Sequence, residues 1–312
     1  MNMHNGAAAA EPKPAGGRRT RRRLRLAGGL APYLWLAPSL LLIILVTIFP
    51  IFELFSTALS KVSLSGVKKG YVGLQNFSNV LRDPVFWGVL KNTLIWTVGV
   101  VGISTVLSLG IAQLLNQEFP GRRLVRSALI VPWAVSLIIT SVIWRWILDY
   151  HYGALNLILQ KLHLIDQNIY WLASPATSFP AMIGVGIFVT IPFTSFLFLA
   201  GLQAIPGELY ESAGVDGANG WSKFVHVTLP MLRQPLMIST VLNTIYVFNS
   251  FPIIWSMTKG EPVNQTDTII TYLYKLAFVA HKMGDAAAVS VISFLLLLLF
   301  SVAYIGLVMR RE

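Results

Sequence analysis

The 312-residue chain contains no cysteine, which excludes disulfide bridges, thiolate metal sites and cysteine nucleophiles. It is also poor in charge, because only 12% of its residues are Asp, Glu, Lys or Arg, against roughly a quarter in soluble domains. A soluble protein of this length needs more charged side chains to cover its apolar cores. Since 55% of the residues are hydrophobic, the composition indicates lipid as the main solvent.

Motifs for catalysis and nucleotide binding are absent too. No Gly-x-x-x-x-Gly-Lys-Ser/Thr phosphate loop occurs, so any ATP that the protein uses must be hydrolysed on another chain. The histidines are scattered, with no pair at metal-ligand spacing: His4, His151, His163, His226 and His281. The sequence therefore predicts no metal site and no catalytic constellation, which argues against a membrane enzyme.

Ionisable residues are scarce inside the apolar stretches of the chain, and Glu53, Lys91, Arg145 and Asp149 fall at the ends of these stretches. A secondary transporter or an ion channel normally places such groups within the membrane, to carry protons or coordinate ions. The sequence therefore does not favour a secondary transporter or a channel for small polar solutes, and we keep this function only as an alternative.

Basic residues are concentrated at the N-terminus. The net charge is +11, and the basic residues before the first apolar stretch are Lys13, Arg18, Arg19, Arg21, Arg22, Arg23 and Arg25. We predict a disordered basic tail over residues 1–29 that contacts anionic lipid rather than nucleic acid. By the positive-inside rule this tail is cytoplasmic.

Six apolar stretches follow the tail, each near the ~20 residues needed to cross ~30 Å of hydrocarbon. They lie at residues 31–52, 93–115, 124–148, 180–204, 236–257 and 286–308. The predicted fold is an all-α integral membrane protein, with a six-helix transmembrane domain over residues 30–312. An even number of crossings returns the C-terminus to the cytoplasm.

Prolines fall inside several of these stretches, namely Pro38, Pro132, Pro192 and Pro252. Each proline removes a backbone donor and clashes with the preceding turn of a helix, so we expect kinks. Such breaks are tolerated in a membrane bundle where neighbouring helices or cavity water satisfy the freed carbonyl groups, which favours a transporter over a plain anchor.

The loop at residues 205–235, between the fourth and fifth stretches, is polar and rich in glycine. Pro206 suits the first position of a helix, and Glu208 and Glu211 suit its positive N-terminal end. Gly217 can stop this helix after about three turns. Because so short a helix is not stable alone, we expect a partner or the following chain to hold it.

This loop resembles the cytoplasmic signature of the permease subunits of binding-protein-dependent ABC importers. The signature runs Glu-Ala-Ala, Asp-Gly-Ala, then a spaced Phe, an aliphatic residue and Leu-Pro; the matching residues are Glu211, Ala213, Asp216, Gly217, Ala218, Phe224, Val227, Leu229 and Pro230. Ser212 replaces the first Ala of the signature and keeps a small residue there. Residues 71–77, 121–123 and 144–146 are similar to the maltose-type sugar permeases in particular.

The resemblance implies the type I permease fold of ABC importers and a coupling helix that docks on an ATPase subunit. The residues that it assigns to this coupling are Glu208, Glu211, Ser212, Ala213, Asp216, Gly217 and Ala218. The implied partners are a second homologous permease, two ATPase subunits and an extracytoplasmic solute-binding protein. ATP and magnesium belong to the ATPases, so this chain is expected to carry no cofactor and to be a non-catalytic subunit in a bacterial or archaeal cell membrane.

A sugar pathway needs hydrogen-bonding groups and aromatic rings where several helices meet. Polar residues share one face of the fifth stretch by helical spacing, and the fourth stretch carries aromatic and hydroxyl side chains around its proline. The resulting candidates are Phe188, Thr190, Phe193, Asn243, Tyr246, Asn249 and Ser250. Hydrogen bonding that merely holds the helices together is the other interpretation.

The expected solute is a disaccharide, an oligosaccharide or a related polyol, and the sequence does not choose among them.

Overall fold

A computed structural model describes residues 35–262 and 264–309. The predicted basic tail, residues 1–29, lies outside these ranges. The chain divides into two compact units, Met1–Leu54 and Phe55–Glu312. The first apolar helix, α1 (Trp35–Ala58), contains the π-helical turn Ile44–Ile48.

The remaining elements begin with a two-stranded antiparallel hairpin, β1 (Ser60–Val62) and β2 (Lys68–Tyr71). The helices of the first half are α2 (Gln75–Arg82), α3 (Pro84–Asn116), α4 (Arg122–Ala134), α5 (Leu137–Ile147) and α6 (Ala154–Lys161). Those of the second half are α7 (Pro175–Gln203), α8 (Gly207–Val215), α9 (Gly220–Lys223), α10 (Arg233–Phe248), α11 (Pro252–Met257), α12 (Ile269–Tyr274) and α13 (Met283–Met309). We call the end of the bundle that carries β1 and β2 the hairpin end, and the end that carries α8 the loop end.

Among the described residues, each of the six predicted apolar stretches is mainly helical, but the stretches differ in continuity. Within the described residues, α1, α3, α7 and α13 are long and apolar enough to cross a membrane as single helices of 24, 33, 29 and 27 residues. The third stretch is the pair α4 and α5, bent by 100° at their junction. The fifth stretch is α10 followed by α11, separated by residues 249–251. This arrangement is compatible with the predicted six-helix permease fold.

Prolines account for the broken stretches. Pro132 lies in the last turn of α4, just before the bend, and Pro252 begins α11, where its missing N–H group costs no helical hydrogen bond. In contrast, α7 continues through Pro192 as one helix. The hydroxyl groups of Thr190 and Thr194 donate to the carbonyl oxygens of the preceding turn there, at 2.7 and 3.0 Å.

The main apolar core lies where α3 packs against α7. Trp96 and Val100 of α3 are buried against Gly186 of α7, where any side chain would collide with both. The indole nitrogen of Trp96 donates to the carbonyl oxygen of Val247 at 2.9 Å, which ties α10 to the same core. A buried tryptophan thus connects three helices and has its one polar group satisfied.

A second buried cluster lies nearer the loop end and supports the polar loop. Its members come from α3, α7 and the start of α10: Ala112, Leu115, Phe198, Leu199, Leu202 and Leu232. Gly201 lets Pro235 approach closely, because an added Cβ atom would lie 2.7 Å from the proline ring. Packing therefore fixes both ends of the segment that carries α8.

We expect Gly186→Ala to destabilise the protein by about 1–3 kcal/mol, because overpacking a core forces side chains from their preferred rotamers. The added Cβ atom would lie 2.8 Å from Trp96 and from Val100. Gly184→Ala is the matched control on the same helix, since nothing lies within 4 Å of its added Cβ atom. Thermal unfolding in detergent measures both variants, and equal midpoints would contradict the packing described here.

Candidate functional site

A cavity of about 340 Å³, which we call the central cavity, lies between α4, α7 and α10. This volume is within the range of small-molecule sites. The residues that line the cavity combine aromatic rings with a hydroxyl and an amide group: Trp133, Val189, Thr190, Phe193, Leu242, Asn243 and Tyr246. Four of the seven residues predicted from sequence for a substrate pathway are therefore brought together here.

Hydrogen bonds hold the polar side of this cavity in place. The side-chain amide of Asn243, which is 4% exposed, donates to the hydroxyl oxygen of Thr194 at 2.8 Å. That hydroxyl group in turn donates to the carbonyl oxygen of Thr190. The chain of bonds crosses from α10 to α7, so Asn243 both joins the two helices and borders the cavity. Helix pairing is therefore observed for Asn243, and substrate contact at this residue stays a prediction.

The other three predicted pathway residues lie elsewhere. Phe188 packs edge-on against Trp144, with ring centroids 5.3 Å apart. The amide of Asn249 donates to the backbone of its own helix, and Asn249 borders a different, mainly apolar cavity with α12 and α13. Ser250 is buried just beyond the end of α10. Helical spacing explains this, because Phe188 is two residues from Thr190 and so faces the opposite side of α7, and because Ser250 is no longer helical.

Sequence reasoning missed Trp133, which lines the cavity from α4. The position of this residue in the sequence could have indicated its role. Tryptophans in membrane proteins concentrate at the membrane–water interfaces, whereas Trp133 lies well inside its apolar stretch, beside Pro132. The packing of α4 against α7, which the sequence does not show, brings its ring to the cavity.

The helix predicted in the polar loop exists as α8, and glycine ends it. Gly217 has φ of +79°, which favours glycine. The N–H group of Ala218 donates to the carbonyl oxygen of Ala213, and that of Gly217 to the carbonyl oxygen of Gly214, at 2.9 and 3.1 Å. These two bonds form a Schellman motif. The Asp-Gly-Ala part of the signature is therefore the stop of a helix.

The side chains of α8 are held from one side and displayed on the other. The hydroxyl group of Tyr210 lies 2.9 Å from that of Thr228, which ties α8 to the returning chain. Of the predicted coupling residues, Ala213 and Ala218 are half-buried; the exposed ones are Glu208, Glu211, Ser212, Asp216 and Gly217. The structure thus presents most of the predicted residues on one short, anchored helix.

Two apolar residues at this surface were not singled out from the sequence. Val215 is 89% exposed and Trp221 is 73% exposed, beside the acidic face of α8. Contiguous exposed apolar surface is typical of protein interaction sites, and Trp221 lies next to a second aromatic ring, Phe224, with ring centroids 5.5 Å apart. No local signal distinguishes them, because only the folded loop shows that the chain itself does not cover them.

Comparisons with known proteins agree with this architecture. The family model described as "Binding-protein-dependent transport system inner membrane component" matches residues 104–311. The chain belongs to that family. As a multi-pass membrane permease of an ABC importer, it does not fit the alternative of a secondary transporter or channel.

Two curated relatives cover nearly the whole chain. A probable ABC transporter permease protein of Brucella suis is 48% identical over 90% of this chain and 97% of its own length. The trehalose/maltose transport system permease protein MalF of Thermococcus litoralis is 35% identical over 88% of this chain and 92% of its own length. The resemblance to sugar permeases is thereby confirmed.

Solved structures confirm the fold. A bacterial ABC transporter involved in the import of the acidic polysaccharide alginate matches with a TM-score of 0.81 at 22% identity, over 93% of this permease and 99% of that chain. A bacterial alginate transporter in complex with an alginate pentasaccharide-bound periplasmic protein matches with a TM-score of 0.78 at 22% identity, over 90% of this chain and 94% of that chain.

Two asparagines of the fifth stretch make a direct test of the cavity. Asn243→Leu removes an amide from the cavity and should slow transport about tenfold, because a lost hydrogen bond of about 1.4 kcal/mol corresponds to that factor. Asn249→Leu alters the same residue type outside the cavity and should leave transport within about twofold of the unmodified protein. Solute uptake, normalised to the amount of assembled permease in the membrane, measures both. Equal effects of the two substitutions would remove the cavity from the pathway.

Proposed function

We propose that this chain is the non-catalytic membrane subunit of an ATP-driven importer that translocates a disaccharide, an oligosaccharide or a related polyol. The single observation that carries the proposal is the central cavity, where an amide, hydroxyl groups and aromatic rings meet. Hydroxyl groups of a sugar bond to the polar groups, and the apolar faces of its rings pack on Trp133 and Phe193. The trehalose/maltose permease among its relatives supports this solute class.

A second homologous permease completes the pathway in this proposal. Trp133 is 62% exposed and Tyr246 is 50% exposed, although both border the cavity. A phenolic hydroxyl group left facing lipid is unfavourable, since hydrocarbon offers no hydrogen-bond partner. A partner permease that covers this open side would turn a half-cavity into an enclosed site.

In this proposal, partner subunits rather than this chain bind and hydrolyse ATP. Each of the two ATPase subunits binds ATP and magnesium, and one of them receives α8 in a cleft, so that its closure moves this permease. Within residues 35–262 and 264–309, no group of three or more His, Cys, Asp or Glu residues could hold a metal ion. The acidic and small residues of α8, from Glu208 to Ala218, form the proposed contact, and Val215 and Trp221 extend it.

Orientation follows from charge in this proposal. The basic N-terminus and the loop end, with α8, face the cytoplasm of a bacterial or archaeal cell, and so does the C-terminus. The hairpin end therefore faces outward. A solute-binding protein docks there and delivers its sugar to the central cavity as the permease pair opens.

Uptake by a purified system tests the proposal as a whole. The permease, its partner permease and its ATPases would be reconstituted in liposomes with ATP inside, and the binding protein and labelled trehalose or maltose would be added outside. We expect uptake that requires both ATP and the binding protein. Uptake driven by an ion gradient without ATP would contradict the proposal.

Glycine substitutions in the loop test the coupling role of α8. Gly217→Val forces a β-branched residue into φ of +79°, a cost of roughly 1–2 kcal/mol that distorts the helix stop. We expect ATP hydrolysis to continue while uptake falls at least about tenfold, a barrier change of about 1.4 kcal/mol. Gly220→Val is the matched control, because Gly220 lies outside the left-handed region and nothing lies within 4 Å of its added Cβ atom.

A charge reversal provides the second arm of the coupling test. Glu211→Lys keeps an exposed residue on α8 but inverts its charge, so it should weaken binding of the ATPase subunit without unfolding the permease. Co-purification of the ATPase with the permease measures this. Normal co-purification together with normal uptake in both Gly217→Val and Glu211→Lys would rule out α8 as the coupling element.

A further inference from the structure

A second polar cavity, of about 420 Å³, lies at the hairpin end. It is bordered by the end of α5, by the loop that follows it and by the loop after α11. We call it the mouth cavity, and its lining includes Arg145, Asp149, Tyr150, Tyr170, Trp171 and Glu261. Leu148 and Met257, which belong to the main apolar core, also border it. The mouth cavity therefore rests directly on the helix bundle.

Asn156 builds one wall of the mouth cavity. It is 1% exposed, and its amide group donates to the carbonyl oxygen of Ile169 at 3.1 Å. Its side-chain oxygen accepts from the indole N–H group of Trp171 at 2.9 Å and from the backbone N–H group of Ile169. One buried amide thus fixes Trp171 and its neighbours, because each of its polar groups has a partner.

Lys275 anchors the loop that forms the other wall. Its ammonium group lies 2.7 Å from a carboxylate oxygen of Asp267, whose side chain is 0% exposed, and 2.9 Å from the side-chain oxygen of Asn264. From α3, Asn92 donates to the backbone carbonyl oxygens of Gln265 and Asp267. A buried ion pair of this kind restrains the loop. Both walls are therefore held in place by buried polar side chains.

Aromatic surface and ionised groups meet in the mouth cavity. The rings of Tyr150 and Tyr170 stack with centroids 3.5 Å apart. Hydrogen bonds from the backbone N–H groups of Tyr152 and His151 hold the pKa of Asp149 below its usual value, so its carboxylate is charged at neutral pH. Arg145 donates to the carbonyl oxygen of Ser256 at 3.4 Å, and its guanidinium group carries five N–H donors in all.

This combination suits a sugar better than a protein surface. A docked protein needs a contact of about 800 Å² per partner, built around a central apolar patch. The mouth cavity instead is concave and sized for a small molecule, with flat rings beside carboxylate and guanidinium groups. Carboxylates accept hydrogen bonds from hydroxyl groups, and the guanidinium group donates to them.

The charge of the mouth cavity selects among sugars. The charged residues that line it are two carboxylates, Asp149 and Glu261, and one guanidinium group, Arg145. The local excess is negative, which disfavours an anionic ligand such as a uronic acid.

We propose that the mouth cavity is a second carbohydrate site of this permease, which holds a neutral sugar at the outer opening, apart from the central cavity. This inference rests on the proposed sugar import and adds a place and a charge preference to it. A solute released at the hairpin end would occupy this site before it moves inward, and the site would raise the local concentration of the solute at the entrance.

Sugar binding to the complete transporter tests the proposal. The purified complex, without binding protein and without ATP, would be titrated with labelled trehalose, maltose and raffinose by equilibrium dialysis. We expect binding of at least one of these sugars that survives Asn243→Leu in the central cavity. Arg145→Ala and Glu261→Ala should each weaken it about tenfold, and cellobiouronic acid should bind at least about tenfold more weakly than the neutral sugar.

Asp166→Ala is the matched control, because Asp166 is exposed in the loop between α6 and α7, which also carries Tyr170, and does not line the mouth cavity. Its sugar binding should not change. Absence of binding by all three sugars would overturn the inference, and so would binding abolished by Asn243→Leu and unaffected by Arg145→Ala and Glu261→Ala. Weaker docking of the binding protein in these two variants, with unchanged sugar binding, would show a docking surface and also overturn it. ATP-driven uptake by the unmodified transporter separates these failures from failure of the proposed function.

Discussion

The close approach of α3 and α7 at Gly186 is the constraint on which the rest of the structure depends. The absence of a side chain there admits Trp96, and the indole group of Trp96 reaches the carbonyl oxygen of Val247 on α10. Once α10 is held, Asn243 meets Thr194 and the central cavity takes its shape. A membrane bundle gains little hydrophobic drive between its helices, so tight contact at small residues and single interhelical hydrogen bonds carry its packing.

Breaks in the helices matter as much as the helices themselves. The chain bends by 100° just after α4, whose Trp133 lines the central cavity, and the interruption between α10 and α11 ends the polar face of α10 before Ser250. Backbone outside regular helices is tolerated at membrane depth only where protein or a cavity satisfies its polar groups. The two broken stretches border cavities, and α7 borders the central cavity too, although it continues through Pro192 as one helix.

The two ends of the bundle illustrate different ways to present a surface. At the loop end, α8 is short, anchored by Tyr210 and stopped by Gly217, and its acidic residues Glu208 and Glu211 are exposed. At the hairpin end, buried amide and ion-pair contacts around Asn156 and Lys275 shape a concave surface. A displayed helix suits mechanical contact with another protein, and an anchored cavity suits a small ligand.

The amino-acid sequence by itself determined what depends on short-range chemistry. Apolar length predicted the helical stretches, and Gly217 predicted the end of α8, because a helix stop acts within one turn. Pro206, expected at the first helical position, instead precedes α8 by one residue as its N-cap. The tertiary structure alone decided which residues share a cavity. Spacing placed Asn243 and Ser250 on one face, yet a helix break separated them, and the mouth cavity joined Arg145 to Glu261 across more than a hundred residues. Contacts between residues so far apart in the sequence depend on helix bends and interhelical packing, which a local sequence pattern does not show.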